Sequence, residues 1–162
     1  MSRTTIDFGI DLGTTNSAIA VIRGTRPEVI RNNENQECTP SAVWVDGKGK
    51  LWVGQRAKSK AQEDPDNAFL NFKRAMGDRR EYVFRRSGRR CSPQDLSAEV
   101  LKSLRGDVEQ KQRESIQAAV ITIPAAFELP QCEATREAAR LAGFVESPLL
   151  QEIGRASCRE RV

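Results

Sequence analysis

An acidic residue placed just before a glycine-containing turn is the first feature of this sequence that could do chemistry. Asp11 lies near the end of a short apolar run that breaks at Gly13-Thr14-Thr15 before a second apolar run begins. Two such runs joined by a turn predict a β-hairpin. The turn offers an anion close backbone approach, successive N–H groups and two hydroxyls, and the acid could hold Mg²⁺ through water. The same residues also fit an ordinary polar turn.

The lack of histidine narrows the possible reactions. With no histidine in the chain, Ser-His-Asp and Cys-His sites are excluded. The four cysteines, which form no CxxC pair, argue against a structural zinc site. Any reaction must therefore use carboxylates, lysine, hydroxyls, backbone groups and metal.

The length of the chain indicates one domain, and its charge and hydropathy argue against nucleic acid or a membrane as a partner. The 162 residues suffice for a sizeable core. The net charge of +4 owes two charges to the last ten residues, which argues against a nucleic-acid-binding protein. The sequence has no apolar run long enough to span a membrane and no signal-peptide core at its N-terminus. We expect a cytoplasmic protein.

The order of the predicted elements, hairpins followed by alternating helices and strands, indicates a mixed-sheet α/β fold. Beyond the first hairpin, the patterns predict a strand at 28–30, a hairpin at 42–53 and helices at 54–62 and 65–76. Ser92 then caps a predicted amphipathic helix, whose core residues would be Leu96, Val100, Leu101, Leu104 and Val108. The chain continues with a predicted strand at 117–123 buried on both faces, a helix from Pro130 to Ala142, and a strand at 144–150.

Two further features have an ordinary and a functional interpretation. Trp44 and Trp52 could form a ligand platform, but packing across the second hairpin is the more common use of such a pair. Six arginines between positions 79 and 90 could bind nucleic acid, but the modest overall charge favours a solvated, partly mobile hairpin rim.

Several separated segments resemble the nucleotide-binding domain of the 70-kDa heat-shock chaperones. The matching segments, in the family's order, are GIDLGTTNSAIAV (9–21), TPSAV (39–43), FKRAMG (72–77), AAVITIPAAF (118–127), EATREAARLAG (133–143) and LLQE (149–152). The resemblance implies the first lobe of the actin-like ATPase (ribonuclease H-like) fold, a mixed β-sheet with flanking helices. It also implies a core formed by 1–40 and 115–152, with an inserted subdomain at about 41–114.

The resemblance assigns roles to individual residues. It implies that Gly13, Thr14, Thr15 and Asn16 wrap the phosphates of ATP or ADP, and that Asp11 faces the water shell of Mg²⁺. It further implies that Lys73 reaches the γ-phosphate and the attacking water, and that Glu152 lies beside that water and the metal. Pro124 would belong to an interdomain relay.

The resemblance also implies partners, and it has departures. Unfolded client peptides would bind through a domain outside this chain, and a J-domain co-chaperone and a nucleotide exchange factor would regulate the cycle. Cys132 stands where the family usually has the arginine that partners the relay proline, so the usual relay is in doubt. Residues 153–162 resemble a translated sequencing adapter, so we expect a non-native tail after a first lobe with little ATPase activity alone.

The sequence also allows two competing hypotheses. One is another actin-like ATPase, a sugar kinase or a bacterial actin, because the first motif is shared among these proteins. The other is a non-enzymatic basic module built on the arginines of 79–90, which would bind polyanions in a salt-sensitive way.

Overall fold

The computed structural model describes residues 5–152 and has a mixed α/β fold, as the sequence predicts. Its strands are β1 (Phe8–Leu12), β2 (Asn16–Arg23), β3 (Arg26–Val29), β4 (Thr39–Pro40), β5 (Ala42–Val45), β6 (Leu51–Val53), β7 (Ala68–Leu70), β8 (Tyr82–Val83), β9 (Arg90–Cys91), β10 (Val120–Ile123) and β11 (Leu149–Gln151). Its helices are α1 (Gln55–Lys60), a 3-10 helix (Phe72–Ala75), α2 (Pro93–Gln112) and α3 (Leu129–Leu141).

A mixed sheet forms the centre of the fold. Its strand order is β11-β10-β1-β2-β3, and β4 also pairs with β2. Strands β1, β10 and β11 run parallel to one another, whereas β2 is antiparallel to each of its neighbours. The carboxyl ends of the three parallel strands therefore lie at one edge of this sheet, where open α/β sheets usually bind ligands.

Helix α2 supplies much of the core opposite this sheet. Ser92 and Asp95 form the capping box that begins the helix, and Pro93 takes its first position. The five apolar residues predicted for its core face are all buried, so the predicted amphipathic stripe is confirmed. The helix packs along α3, whose last turn is followed by Gly143 at a φ of 93°, a conformation that favours glycine.

The predicted helix at 65–76 is wrong. Ala68–Leu70 is a strand that pairs with β5, and only Phe72–Ala75 is helical, as a 3-10 helix. Asn71 between them has a left-handed φ of 57°, which a continuing α-helix cannot contain. Strand pairing with a distant segment thus overrides a helical spacing of apolar residues.

Two strand predictions need correction. The segment predicted at 117–123 is regular only over Val120–Ile123, and its alternating burial shows that one face is buried rather than both. The strand predicted at 144–150 is confined to Leu149–Gln151. Phe144 before it is buried in the core from irregular backbone.

The two small sheets hold the tryptophans and the arginine-rich stretch. Trp44 and Trp52 are direct partners across β5 and β6, and the Arg56 guanidinium lies over both rings. The arginine-rich stretch forms the β8–β9 hairpin, as predicted. Four of its arginines make ion pairs, namely Arg85 with Asp66, Arg86 with Asp64, Arg89 with Glu99 and Arg90 with Glu81.

None of the helices within residues 5–152 is both long and apolar enough to cross a membrane.

Candidate functional site

The edge where the parallel strands end gathers residues from distant parts of the chain. Asp11 is the penultimate residue of β1, Pro124 follows β10, and Glu152 follows β11. The Glu152 N–H donates to the Ile123 carbonyl over 2.9 Å, which holds the glutamate beside the end of β10. Parallel pairing therefore places two acids that are 141 positions apart in the sequence on the same edge of the sheet.

Lys73 reaches this edge from the 3-10 helix. Its side chain is buried, with the residue only 6% exposed, and its ammonium group donates to the Leu12 carbonyl. Burial lowers the pKa of Lys73, and the carboxylates of Glu152 and Asp11 oppose that shift. The two acids are thus close enough to act electrostatically on the lysine, and the structure brings all three predicted residues together.

The neighbours of Lys73 explain why the lysine points inward. Phe72 and Met76 are both 1% exposed and anchor the 3-10 helix in the core. Gly77 follows with a φ of 86°, and an added Cβ there would lie 3.2 Å from the backbone at Pro130 and Gln131. Close contact with the start of α3 therefore fixes the helix that carries Lys73.

The predicted phosphate turn connects β1 to β2 next to Asp11 and Lys73. Gly13 and Thr14 are partly buried, whereas Thr15 and Asn16 are exposed. A Cβ on Gly13 would lie 2.0 Å from the Asn16 carbonyl oxygen, so the turn has no room for any side chain at this position. All four residues predicted to contact phosphate thus directly follow Asp11 and the Leu12 carbonyl that binds Lys73.

Three residues that sequence reasoning did not select also belong to this site. The Thr122 hydroxyl lies 3.5 Å from Asp11 Oδ1, because the two residues are register partners on β10 and β1. The hydroxyls of Ser17 and Ser41 bind the backbone of Gly13. All three lie within segments that resemble the family, but only the tertiary contacts show that Thr122 reaches Asp11 and that Ser17 and Ser41 reach Gly13.

Pro124 occupies the loop between this edge and α3. Its carbonyl accepts a hydrogen bond from the Phe127 N–H over 3.1 Å, and the Phe127 ring centroid is 5.4 Å from Lys73 Nζ. Cys132 is partly buried in the first turn of α3. The loop of Pro124 therefore contacts the lysine through Phe127, and the relay role of Pro124 stays a prediction.

The charged groups of the site, one lysine and two carboxylates, suit an anion that binds together with a hydrated cation. Within the described residues 5–152, no group of three or more histidines, cysteines and acids could hold a metal ion directly. Two carboxylates at the strand ends fit Mg²⁺, which keeps most of its water and takes few protein ligands. The arrangement can therefore stabilise negative charge at the turn without a buried metal cage.

Comparison with known proteins agrees with this geometry. The family model described as Hsp70 protein matches residues 7–156. The chain is similar to the chaperone protein DnaK from two strains of Halobacterium salinarum, with 40% identity over 150 residues in each case. These residues make up 93% of this chain but 24% of each relative, so the chain spans about a quarter of the relatives' length. The chain belongs to the Hsp70 family, and its mixed α/β fold is consistent with the actin-like nucleotide-binding lobe of that family.

Proposed function

We propose that this chain is the first lobe of an Hsp70 ATPase domain and that it binds the phosphates of Mg·ATP at the edge formed by β1, β10 and β11. The observation that carries the proposal is the buried Lys73, held on the Leu12 carbonyl beside the Gly13 turn and within electrostatic reach of Asp11 and Glu152. Burying a cation costs free energy unless charged or hydrogen-bonding groups compensate for the lost water. A bound phosphate would provide such a charged partner for Lys73.

The chain's own residues can support phosphoryl transfer through position and charge. That reaction needs little covalent chemistry from a protein, because catalysis comes from alignment and electrostatic stabilisation. Lys73 would neutralise charge on the terminal phosphate, and backbone N–H groups of Thr14 and Asn16 would bind phosphate oxygens. Glu152 would orient the attacking water from the end of β11.

Asp11 and Glu152 are the residues that would hold Mg²⁺ through its water shell. Both are partly buried at the ends of parallel strands, and Thr122 contacts the Asp11 carboxylate. When bound, the ion would neutralise phosphate charge. The protein would contribute two carboxylates able to accept hydrogen bonds from metal-bound water.

The family membership supports a chaperone as the biological context. We infer that the core comprises 1–40 and 115–152 with an inserted subdomain at about 41–114, and that the 162-residue chain alone has little ATPase activity. A chaperone of this family would couple nucleotide to the binding of unfolded peptides, with a J-domain protein and an exchange factor as partners. The family match does not favour a sugar kinase or bacterial actin, and the ion pairs of the β8–β9 hairpin reduce the charge that a basic module would need.

Nucleotide titration of the full 162-residue chain tests the proposal. Lys73→Ala should weaken Mg·ATP binding at least about tenfold, the effect of roughly 1.4 kcal/mol. Lys102→Ala removes an exposed lysine from α2 and should leave binding unchanged. Absence of ATP binding by the unsubstituted chain, or equal affinity in the two variants, would contradict the proposal. Phosphate release measured alongside should be slow, and steady multiple turnover by the chain alone would contradict the inference of low activity.

A further inference from the structure

Two buried serines enclose the backbone of Gly13 in a closed hydrogen-bond circuit. Ser17 is 1% exposed and Ser41 is 2% exposed. The Gly13 N–H lies 3.1 Å from Ser17 Oγ, and Ser41 Oγ lies 2.8 Å from the Gly13 carbonyl oxygen. The two hydroxyl oxygens are 2.9 Å apart. Both polar groups of Gly13 are therefore bound by side chains from outside the turn.

The direction of this circuit follows from the number of protons available. Each serine hydroxyl has one hydrogen to donate. Ser41 must donate its hydrogen to the Gly13 carbonyl, because a carbonyl can only accept. The bond between the serines is therefore donated by Ser17, whose oxygen accepts from the Gly13 N–H. Every donor in the circuit is used once, and such chains of bonds reinforce one another when buried.

The hydroxyl and the backbone N–H of Ser41 together control which way two neighbouring N–H groups point. A trans peptide is planar, so its C=O and N–H point in opposite directions. Ser41 Oγ binds the Gly13 carbonyl, and the Ser41 N–H binds the Thr15 carbonyl over 2.9 Å. The N–H groups on the other side of those two peptide units, those of Thr14 and Asn16, therefore point away from Ser41. These are the donors that an anion at the turn would meet.

The Ser41 side of the circuit comes from a different part of the fold. Ser41 lies between β4, which pairs with β2 in the large sheet, and β5, the central strand of a small sheet. The turn is thus held by its own hairpin through Ser17 and by the junction of two sheets through Ser41. A shift of the small sheet relative to the large one would change the bonds to Gly13 and Thr15.

We propose that Ser17 and Ser41 are positioning residues that hold the Gly13 turn in its phosphate-binding conformation, with Ser41 as the connection to the small sheet β6-β5-β7. This role rests on the proposed function, because it assigns the two hydroxyls to the same site. Neither serine needs to contact the nucleotide. Their hydroxyls act through the two peptide units of Gly13, and the Ser41 hydroxyl thereby orients the Thr14 N–H.

The test compares Ser17→Ala, Ser41→Ala and the double variant with Ser97→Ala in the full chain. Ser97 is a suitable control because its hydroxyl is equally buried, at 0% exposure, but contacts Met76 Sδ at 3.5 Å, away from the turn. Each variant is titrated with Mg·ATP well below its unfolding midpoint, which separates positioning from stability. Each turn variant should bind about tenfold more weakly, as expected for the loss of one well-placed hydrogen bond. Ser97→Ala should bind like the unsubstituted chain.

Two further readouts distinguish positioning from a general structural effect. Because the serines form one circuit, the double variant should bind no more weakly than the worse single variant. Amide exchange at Gly13 should become faster in Ser17→Ala and remain unchanged in Ser97→Ala.

The possible failures are separable. If Ser41→Ala binds ATP with the same affinity as the unsubstituted chain while Lys73→Ala binds it more weakly, the positioning role is overturned and the proposed function stands. If the unsubstituted chain binds no ATP, the proposed function fails and the positioning role fails with it. If Ser97→Ala weakens binding as much as Ser41→Ala, the effect is general and the positioning role is overturned.

Discussion

The Lys73 ammonium group donates to the carbonyl oxygen of Leu12, the residue between Asp11 and Gly13. This bond joins the 3-10 helix to the end of β1 and places a buried cation at the start of the turn. The lysine therefore contacts the backbone link between the proposed metal-side acid and the proposed phosphate turn.

Asp11→Asn should make nucleotide binding insensitive to magnesium. The substitution keeps the shape and the contact with Thr122 but removes the charge that would hold metal-bound water. We expect the Kd for ATP in the presence of Mg²⁺ to rise about 10-fold or more, the usual cost of losing an outer-shell partner. With EDTA present, the two proteins should bind alike. Asp78→Asn, which changes an exposed acid, is the control, and an equal loss with and without Mg²⁺ would contradict the metal-side role of Asp11.

Gly13→Ala should disrupt the turn. The new Cβ would start 2.0 Å from the Asn16 carbonyl oxygen, so the backbone must move. We expect a loss of about 1–3 kcal/mol in the free energy of unfolding, the typical cost of overpacking, together with loss of ATP binding. Gly47→Ala, at a site with open space for a Cβ, should change neither denaturant unfolding nor binding. Retention of binding in Gly13→Ala would show that the turn tolerates another shape.

Asp107→Asn should stabilise the protein at neutral pH. Asp107 is 4% exposed, and burial raises its pKa from 3.8 to about 6, against a hydrogen bond from the Asn33 N–H and the charge of Lys111. A raised folded-state pKa means that the folded protein binds more protons between about pH 4 and 6, so stability falls as pH rises through that window. At pH 7.5 the variant should gain about 2–3 kcal/mol over the unsubstituted chain.

Urea unfolding at several pH values checks the Asp107 prediction. The difference between the two proteins should shrink as pH falls towards the unfolded pKa of 3.8 and disappear below about pH 3, where the unsubstituted aspartic acid is protonated in both states. Glu109→Gln on the same helix changes an exposed acid and should stay within about 0.5 kcal/mol at every pH. If Asp107→Asn is less stable than the unsubstituted chain at pH 7.5, the prediction is wrong, because hydrogen bonds and nearby charges then more than offset the cost of burying the carboxylate.

Asp64→Asn should have the opposite pH dependence. The Asp64 carboxylate accepts hydrogen bonds from Trp44 Nε1, Asn67 Nδ2 and Arg86 Nη1 at 2.7–2.9 Å, and these lower its pKa from 3.8 to about 2. Its stabilisation is present above the unfolded pKa and is lost as pH falls through the folded pKa. The variant should lose about 1–2 kcal/mol at pH 7, allowing for partial exposure.

Acid unfolding followed by tryptophan fluorescence measures this difference. The gap between Asp64→Asn and the unsubstituted chain should close as pH falls from about 4 to 2. Asp66→Asn, which removes an exposed partner of Arg85, should cost less than about 1 kcal/mol. A gap that persists at pH 2 would mean that shape, rather than charge, makes Asp64 important.

Local patterns in the sequence determined much of the fold. The first hairpin, the capped helix α2, the helix α3 and the Gly143 at its end all follow from neighbouring residues, because turns, caps and helical periodicity are local interactions. The same patterns, with the family resemblance, were enough to name Asp11, Lys73 and Glu152 as candidates.

Tertiary structure decided how those residues meet. Residues 65–76 have a helical spacing, yet pairing with β5 turns part of them into a strand, and the left-handed Asn71 leaves Lys73 on a short inward-facing 3-10 helix. The contacts of Thr122 with Asp11 and of Ser41 with Gly13 depend on strand register between distant segments. Which residues become partners across distant strands depends on packing over the whole chain, so the spacing of neighbouring residues alone does not specify these contacts.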